Sequence, residues 1–143
     1  MIRLRTDVDL DAVLDVYLEA TTLGQGFLPA EFWEADIPEI RDELMPTAET
    51  WVVDMGGEIV AFVSLHENFI GGLFTLPAHQ GRGHGKALIE HVHRTHDPLL
   101  VEVFEANTAA RAFYRNRGFE QVERSIEPKS GLPVLILRLS GPE

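Results

Sequence analysis

Apolar and polar positions alternate over the first residues of the chain. Ile2 and Leu4 fall on one side and Arg3 and Arg5 on the other, the period of a half-buried strand. Thr6-Asp7-Val8-Asp9 then supplies cap-type residues, and the period changes. Leu10, Val13, Leu14, Tyr17 and Leu18 recur at spacings of three and four, with Asp11, Asp15 and Glu19 outside the stripe, which predicts a helix ended by Gly24-Gln25-Gly26. A second helix is expected from Pro29-Ala30 through Phe32, Trp33, Ile37, Ile40 and Leu44 to Met45-Pro46, with Pro38 as a break or kink.

From Trp51 the period is that of strands. Met55-Gly56-Gly57-Glu58, between Trp51-Val52-Val53 and 59–63, reads as a hairpin turn. A strand over 70–76 contains Gly71-Gly72, which suggests a bulge or a close backbone approach, and Pro77 closes it. A helix is predicted from about 83 to 96, a strand over Leu99–Phe104, and a helix over Thr108–Asn116 capped by Gly118. Two last strands fit 119–124 and 134–139, joined by a turn at Lys129-Ser130-Gly131. The order βααβββαβαββ is an α/β layout with one mixed sheet. No repeat, low-complexity tract or linker interrupts it, so a single domain over residues 1–143 is expected.

Composition narrows the function. With 45% hydrophobic residues and no apolar run near the ~18 residues of a membrane span, the chain reads as soluble, without a membrane partner. Met1-Ile2-Arg3 leads into patterned sequence with no targeting segment, so a cytoplasmic location is expected. The absence of cysteine excludes disulfides, thiolate metal sites and a protein thioester intermediate. A net charge of −11 argues against nucleic acid as a partner. The acidity is uneven: residues 1–50 carry 12 acidic and 3 basic side chains, residues 51–143 carry 11 and 9. That first third suggests either a cationic partner or general solubility.

Gln80-Gly81-Arg82-Gly83-His84-Gly85-Lys86 sits between a strand and the amphipathic start of a helix. Glycines there let the backbone approach a ligand and expose successive amides, which with the helix dipole make an anion site. Residues 79–96 agree, holding Arg82, Lys86 and Arg94 against Glu90 alone. A plain flexible turn is the bland alternative. A P-loop is excluded because Lys86 is followed by Ala87 and the spacing is too short, and a dinucleotide fingerprint because three strands precede the turn.

Gln80-x-x-Gly83-x-Gly85 after Leu73-Phe74-Thr75-Leu76-Pro77, followed by Asn107-x-x-Ala110-x-x-Phe113-Tyr114-x-x-x-Gly118-Phe119, resembles the paired core motifs of the GCN5-related N-acetyltransferase (GNAT) superfamily. The segment 26–32 and the short C-terminus further resemble small bacterial GNAT proteins of poorly defined acceptor, some described as protein-lysine acetyltransferases. The resemblance implies a GNAT fold, a mixed sheet of about seven strands flanked by about four helices, and acetyl-CoA as acyl donor. It implies that the turn, Gln80, Gly81, Arg82, Gly83, His84, Gly85 and Lys86, binds the CoA pyrophosphate. It also implies that Leu73, Phe74 and Thr75 pair with the pantetheine arm, that the next strand splays away to open a slot, and that Asn107 contacts CoA. Tyr114 matches a tyrosine that commonly serves the departing thiolate, and Glu102 stands where some relatives carry a glutamate that relays protons through water.

These roles suit the chemistry. A lysine-type amine with a pKa near ~10.4 must lose a proton before attacking a thioester, and the leaving thiolate needs a donor such as a phenol. Each residue also has a plainer reading: Tyr114 as packing beside Phe113, Glu102 as a solvent-facing strand residue, with Glu105 as an outside candidate for the base. Phe27, Phe32 and Trp33 line an acceptor pocket or belong to the core. Five of the six histidines fall between residues 79 and 96, but His91 and His93 point to different helix faces and no ligand set forms, so no metal is expected and a solvated helix is. The acceptor is expected to be a primary amine, and a cationic one in view of the acidic first third. Protein lysine, a small polyamine or antibiotic amine, and a protein N-terminus all stay open, as does a non-catalytic acetyl-CoA-binding module. A C-terminal strand left exposed could pair across a homodimer.

Overall fold

A computed structural model describes residues 1–141 of the chain. Seven strands form one sheet in the order β1-β2-β3-β4-β5-β7-β6, where β1 is Ile2–Leu4, β2 Glu49–Met55, β3 Glu58–His66, β4 Phe69–Thr75, β5 Leu99–Phe104, β6 Glu120–Ile126 and β7 Pro133–Leu139. The helices are α1 Leu10–Gly24, α2 Ala30–Glu34, α3 Ile37–Glu39, α4 His84–His93 and α5 Thr108–Asn116. The β2–β3 turn is Gly56-Gly57 at φ +66° and +101°, the left-handed pair that a two-residue hairpin requires and that glycine adopts without penalty.

Every neighbouring pair is antiparallel except β4 and β5. Those two are parallel and pair only at Phe69–Leu100 and Ile70–Val101. Beyond that point β4 stays with β3 as far as Thr75, and β5 stays with β7 as far as Phe104. The sheet is therefore split by a wedge at its centre. Gly71 marks the start of the split: the register steps from Leu65–Ile70 to Ser64–Gly72, leaving Gly71 as the extra residue of a bulge, as the Gly-Gly pair predicts.

Helices cover both faces. On one, Val13, Val16 and Tyr17 of α1 and Trp33 of α2 pack on Val52, Ile59 and Phe62. On the other, Leu88, Ile89 and Val92 of α4 and Tyr114 of α5 pack on Ala61, Val63, Leu65, Val101 and Val103. Each fully buried aliphatic side chain contributes about 1.5–3 kcal/mol, so the two apolar layers clamp the split sheet from either side. Alternation along β5 follows: Val101 and Val103 face the α4–α5 layer, while Phe104 packs in the α1–α3 layer. Glu102, between the two valines, points to the same side as Phe104.

Three expectations are revised. The second helix is not continuous: α2 ends at Glu34, α3 starts at Ile37 with Pro38 in its first turn, and a π-helical turn, Ile40–Leu44, completes the segment. Proline lacks the N–H a continuing helix would need, so it opens a new turn after the break at Ala35-Asp36. The C-terminal strand β7 is not an exposed edge, because β5 and β6 flank it; the edge at that end of the sheet is β6, whose residues are exposed throughout. The histidines do not decorate a solvated helix either. His79, His84, His91, His93 and His96 are all half-buried, His91 lies 4.3 Å from the Trp51 ring, and His96 Nδ1 is 3.0 Å from the Val92 carbonyl oxygen. No described helix is long and apolar enough to cross a membrane.

Candidate active site

The wedge opens into a groove of about 860 Å³ that takes residues from both helical layers. On the α4–α5 side it is lined by the glycine-rich turn and by Asn107, Phe113 and Tyr114; on the α1–α3 side by Tyr17, Phe32, Trp33, Asp36 and Glu39. The diverging strands supply Gly72 to Thr75 and Val101 to Phe104 as its walls. Past Ile70, the β4 backbone edge that turns toward β5 has no strand partner, so its amides and carbonyls are presented to the groove as a template for an amide-bearing chain.

Local geometry makes the turn an anion cradle. Gly81 and Gly83 adopt φ +77° and +87°, and no atom lies within 4 Å of where a Cβ would stand on either. Gly83 caps α4, whose first three amides, on His84, Gly85 and Lys86, have no acceptor within the helix. His79 Nδ1 and His84 Nε2 are buried at this turn without a hydrogen-bond partner. Burial, followed by the charges of His79 and Arg82, keeps His84 below its ordinary pKa and so neutral. The residues present thus fit a CoA pyrophosphate. Gly85 has a different job: a Cβ there would stand 3.2 Å from the Phe113 ring, so its smallness lets α4 and α5 close on each other.

Asn107 accepts the Ala110 amide at 3.1 Å as the N-cap of α5, a bond worth about 1 kcal/mol, and its amide group remains at the groove. Tyr114 is 5% exposed, wedged edge-on between Phe113 and Phe119 at 5.1 Å from each. Burial raises its pKa, so the phenol keeps its proton. Glu102 is exposed by area, yet the groove walls withhold enough water, with Glu127 adding repulsion, to raise its pKa. That shift makes the carboxylate a better proton acceptor than an ordinary glutamate. Glu105 is set aside: its carboxylate is held by Arg124 at 3.0 Å, which lowers its pKa. Arg82 is exposed and does not line the groove, unlike the other six residues of the turn.

The acceptor end went largely unread in the sequence. Phe104 sits in an aromatic cluster with Phe27 at 5.3 Å and Trp33 at 5.9 Å, which docks the α1–α3 layer onto the end of β5. Asp36, Glu39, Glu127 and Lys129 also line the groove. They come from the α2–α3 break, from the end of α3 and from the β6–β7 turn, and Lys129 Nζ bonds Asp36 Oδ1 at 3.0 Å. Among the described residues no cluster of three metal-ligating side chains occurs.

An open glycine turn at a helix N-terminus, a strand edge without a partner and a slot with titratable groups on both sides fit the class of acyltransferases that draw on a CoA thioester. Comparison with known proteins places the chain within that class. The acetyltransferase (GNAT) domain matches residues 46–121, and the chain belongs to this family. It is 36% identical to the peptidyl-lysine N-acetyltransferase YiaC of Escherichia coli over 138 residues, 96% of this chain and 94% of that one. It is 34% identical to the peptidyl-lysine N-acetyltransferase YjaB of Salmonella typhimurium, covering 77% of each. Among solved structures, apo YjaB of Escherichia coli superposes with a TM-score of 0.86 at 28% identity, over 99% of this chain and 98% of that one. The PaiA N-acetyltransferase of Thermoplasma acidophilum, solved with coenzyme A, shares the fold at a TM-score of 0.79 and 15% identity, over 97% and 99%. The protein is an N-acetyltransferase with acetyl-CoA as acyl donor.

Proposed function

We propose that the acceptor is the side-chain amine of a lysine in a protein or peptide. The observation that carries this reading is the charge of the acceptor end, where Asp36, Glu39, Glu102 and Glu127 line the groove and suit an approaching ammonium. The likeness to two peptidyl-lysine N-acetyltransferases points the same way.

Bound acetyl-CoA supplies an activated acyl carbon and a thiolate leaving group; the chain supplies position and proton traffic. The turn amides hold the pyrophosphate, and the free edge of Leu73, Phe74 and Thr75 pairs with the arm. Glu102, on the α1–α3 side of β5, takes the ammonium proton through water. Tyr114, on the α4–α5 side, donates to the sulfur. The separation suits direct transfer, because the attacking nitrogen and the departing sulfur are two different substituents of one tetrahedral carbon, the first needing a base and the second an acid. Such chemistry belongs in the cytoplasm, where acetyl-CoA and unmodified lysines coexist, and β6 is the edge through which a homodimer would form.

A panel of lysine peptides, free polyamines and peptides with only an N-terminal amine, followed by CoA release, tests the reading. Turnover should be greatest with internal lysine. A preference for polyamines or N-terminal amines would replace that acceptor, and no release with any amine would favour a binding module.

A further inference from the structure

The chain carries ten arginines but only two lysines, Lys86 and Lys129. Both line the same groove. Lys86 belongs to the phosphate turn, in the α4–α5 layer, whereas Lys129 stands at the acceptor end with its ammonium on Asp36. From this we propose that Lys129 is the enzyme's own acceptor: it is acetylated within the same molecule, and the modification releases Asp36 for an incoming substrate. The inference rests on the reading of the site as a lysine acetyltransferase.

The β6–β7 turn is built to present this side chain. Glu127 accepts the Lys129 amide at 2.9 Å and the Ser130 amide at 2.7 Å, the Glu127 carbonyl accepts the Gly131 amide at 2.8 Å, and Ser130 Oγ accepts the Leu132 amide at 3.1 Å. Gly131 takes φ +72° to close the loop. The backbone is fixed while the four-carbon lysine stem is free to swing. Its anchor is weak, since the pair is solvent-accessible and its attraction is offset by screening and side-chain entropy. While it lasts, the pair ties the β6–β7 turn to the α2–α3 break across the groove mouth. The charge it satisfies is the one an acceptor lysine would need, so Lys129 competes with substrate until it is modified.

Arginine elsewhere on the surface fits the same scheme, because a guanidinium stays protonated and is a poor acyl acceptor. The transfer balances without further reagents. The Lys129 ammonium gives one proton to water or to Glu102, and the free amine forms the C–N bond at the thioester carbon; the C–S bond breaks, the thiolate leaves as CoA-SH with a proton from Tyr114, and the second proton shed by the nitrogen returns to Tyr114 through water. The amide product carries no charge and no longer pairs with Asp36.

The test begins with purified protein and acetyl-CoA without acceptor, followed by intact mass and peptide mapping. One acetyl group per chain is expected on Lys129, at a first-order rate independent of protein concentration. It should be lost in Lys129→Arg and slowed at least tenfold in Tyr114→Phe, which chemical acetylation of an exposed amine would not be. No acetyl gain, mapping to Lys86 or the N-terminus, a rate that scales with protein concentration, or indifference to Tyr114→Phe would each overturn the proposal. A lysine-peptide assay on the same sample shows whether the parent reading stands apart from it. A second readout needs no acetyl-CoA: Lys129→Gln, which mimics the acetylated side chain, should quicken amide exchange in residues 36–44 by a few fold, while Lys129→Arg should not. Equal exchange in both variants would show that the pair does not tie the mouth and would overturn the release of Asp36.

Discussion

The two ends of the groove are built on different principles. The phosphate end is a run of consecutive residues, Gln80 to Lys86, whose function lies in backbone dihedrals and helix amides. The acceptor end is assembled from Trp33, Asp36, Glu102, Phe104, Glu127 and Lys129, which come from three separate stretches of chain and act through side chains. A site made of backbone is written locally as glycine spacing, while a site made of side chains from distant segments exists only once the sheet has formed. In the proposed function the first binds the CoA that the whole family shares; the second is where members can differ without disturbing the fold. Tyr114 and Glu102 line the groove from opposite sides of β5, and replacing them probes the contrast most directly.

Tyr114→Phe should give the largest effect. It keeps the ring between Phe113 and Phe119 and removes only the hydroxyl. The thiolate charge develops late, so kcat should fall on the order of 10² to 10⁴, with the acetyl-CoA dissociation constant little changed. Direct calorimetry beside saturating kinetics separates the two. Full turnover in the variant would return Tyr114 to packing alone.

Glu102→Gln should lower kcat/KM with a lysine peptide by about 10², the low end for an acid-base group, since water relays the proton. Its sharper signature is in pH. Only the carboxylate accepts a proton, and desolvation raises its pKa, so the wild-type rate should climb with pH through a limb above the ordinary glutamate range. The variant should lack that limb. Linkage gives the opposite sign for stability: a folded-state pKa above the unfolded one favours the fold at low pH, and that contribution is lost as pH rises through the folded value. Glu102→Gln should therefore raise Tm slightly at neutral pH, with the advantage vanishing in acid. A loss of both activity and stability would mark it as structural.

Gly85→Val tests whether the turn belongs to the cofactor alone. The added side chain meets Phe113 at 3.2 Å, and Phe113 lies on the helix that carries Asn107 and Tyr114. Overpacking of this kind costs about 1–3 kcal/mol of stability, so the variant should fold with a lower Tm, and the displaced α4–α5 contact should weaken acetyl-CoA binding as well. Gly83→Ala differs in kind. Open space surrounds it, and its φ of +87° penalises any side chain, so it should weaken binding with little change in packing.

The fold was legible because its signals are periodic and local. The seven strands, Gly56-Gly57, the Gly71 bulge and the Gly118 cap all announce themselves by alternation or by residues with special dihedrals. The turn was legible for the same reason, although glycine spacing alone did not reveal that Gly85 serves Phe113 while Gly81 and Gly83 serve the cradle. Asp36 and Lys129 were not legible. They lie 93 positions apart, and nothing local distinguishes Asp36 from the other acids of the first third. Proline gave Pro38 a break without its position, because the chain parts before the residue that starts the new turn.

The same contrast makes the smallest prediction the most specific. The acidic first third suggested a diffuse field, but several of those charges are already occupied: Asp9 by Arg3 at 2.7 Å and Asp42 by Arg41 at 3.0 Å. Asp36 and Glu39 are the first-third carboxylates that line the groove. If the acceptor lysine docks on Asp36, Asp36→Asn should raise KM for a lysine peptide up to about fivefold, the scale of one exposed ion pair of up to ~1 kcal/mol, and leave kcat and acetyl-CoA affinity alone. Salt should do part of the same work in the wild type, since screening at 0.15 M acts over about 8 Å, and the variant should respond less to it. Asp42→Asn supplies the control, because it removes the same charge from the same third of the chain at a site outside the groove. Equal effects from the two replacements would restore the diffuse field as the explanation. An effect confined to Asp36 would make acceptor recognition a matter of one placed carboxylate.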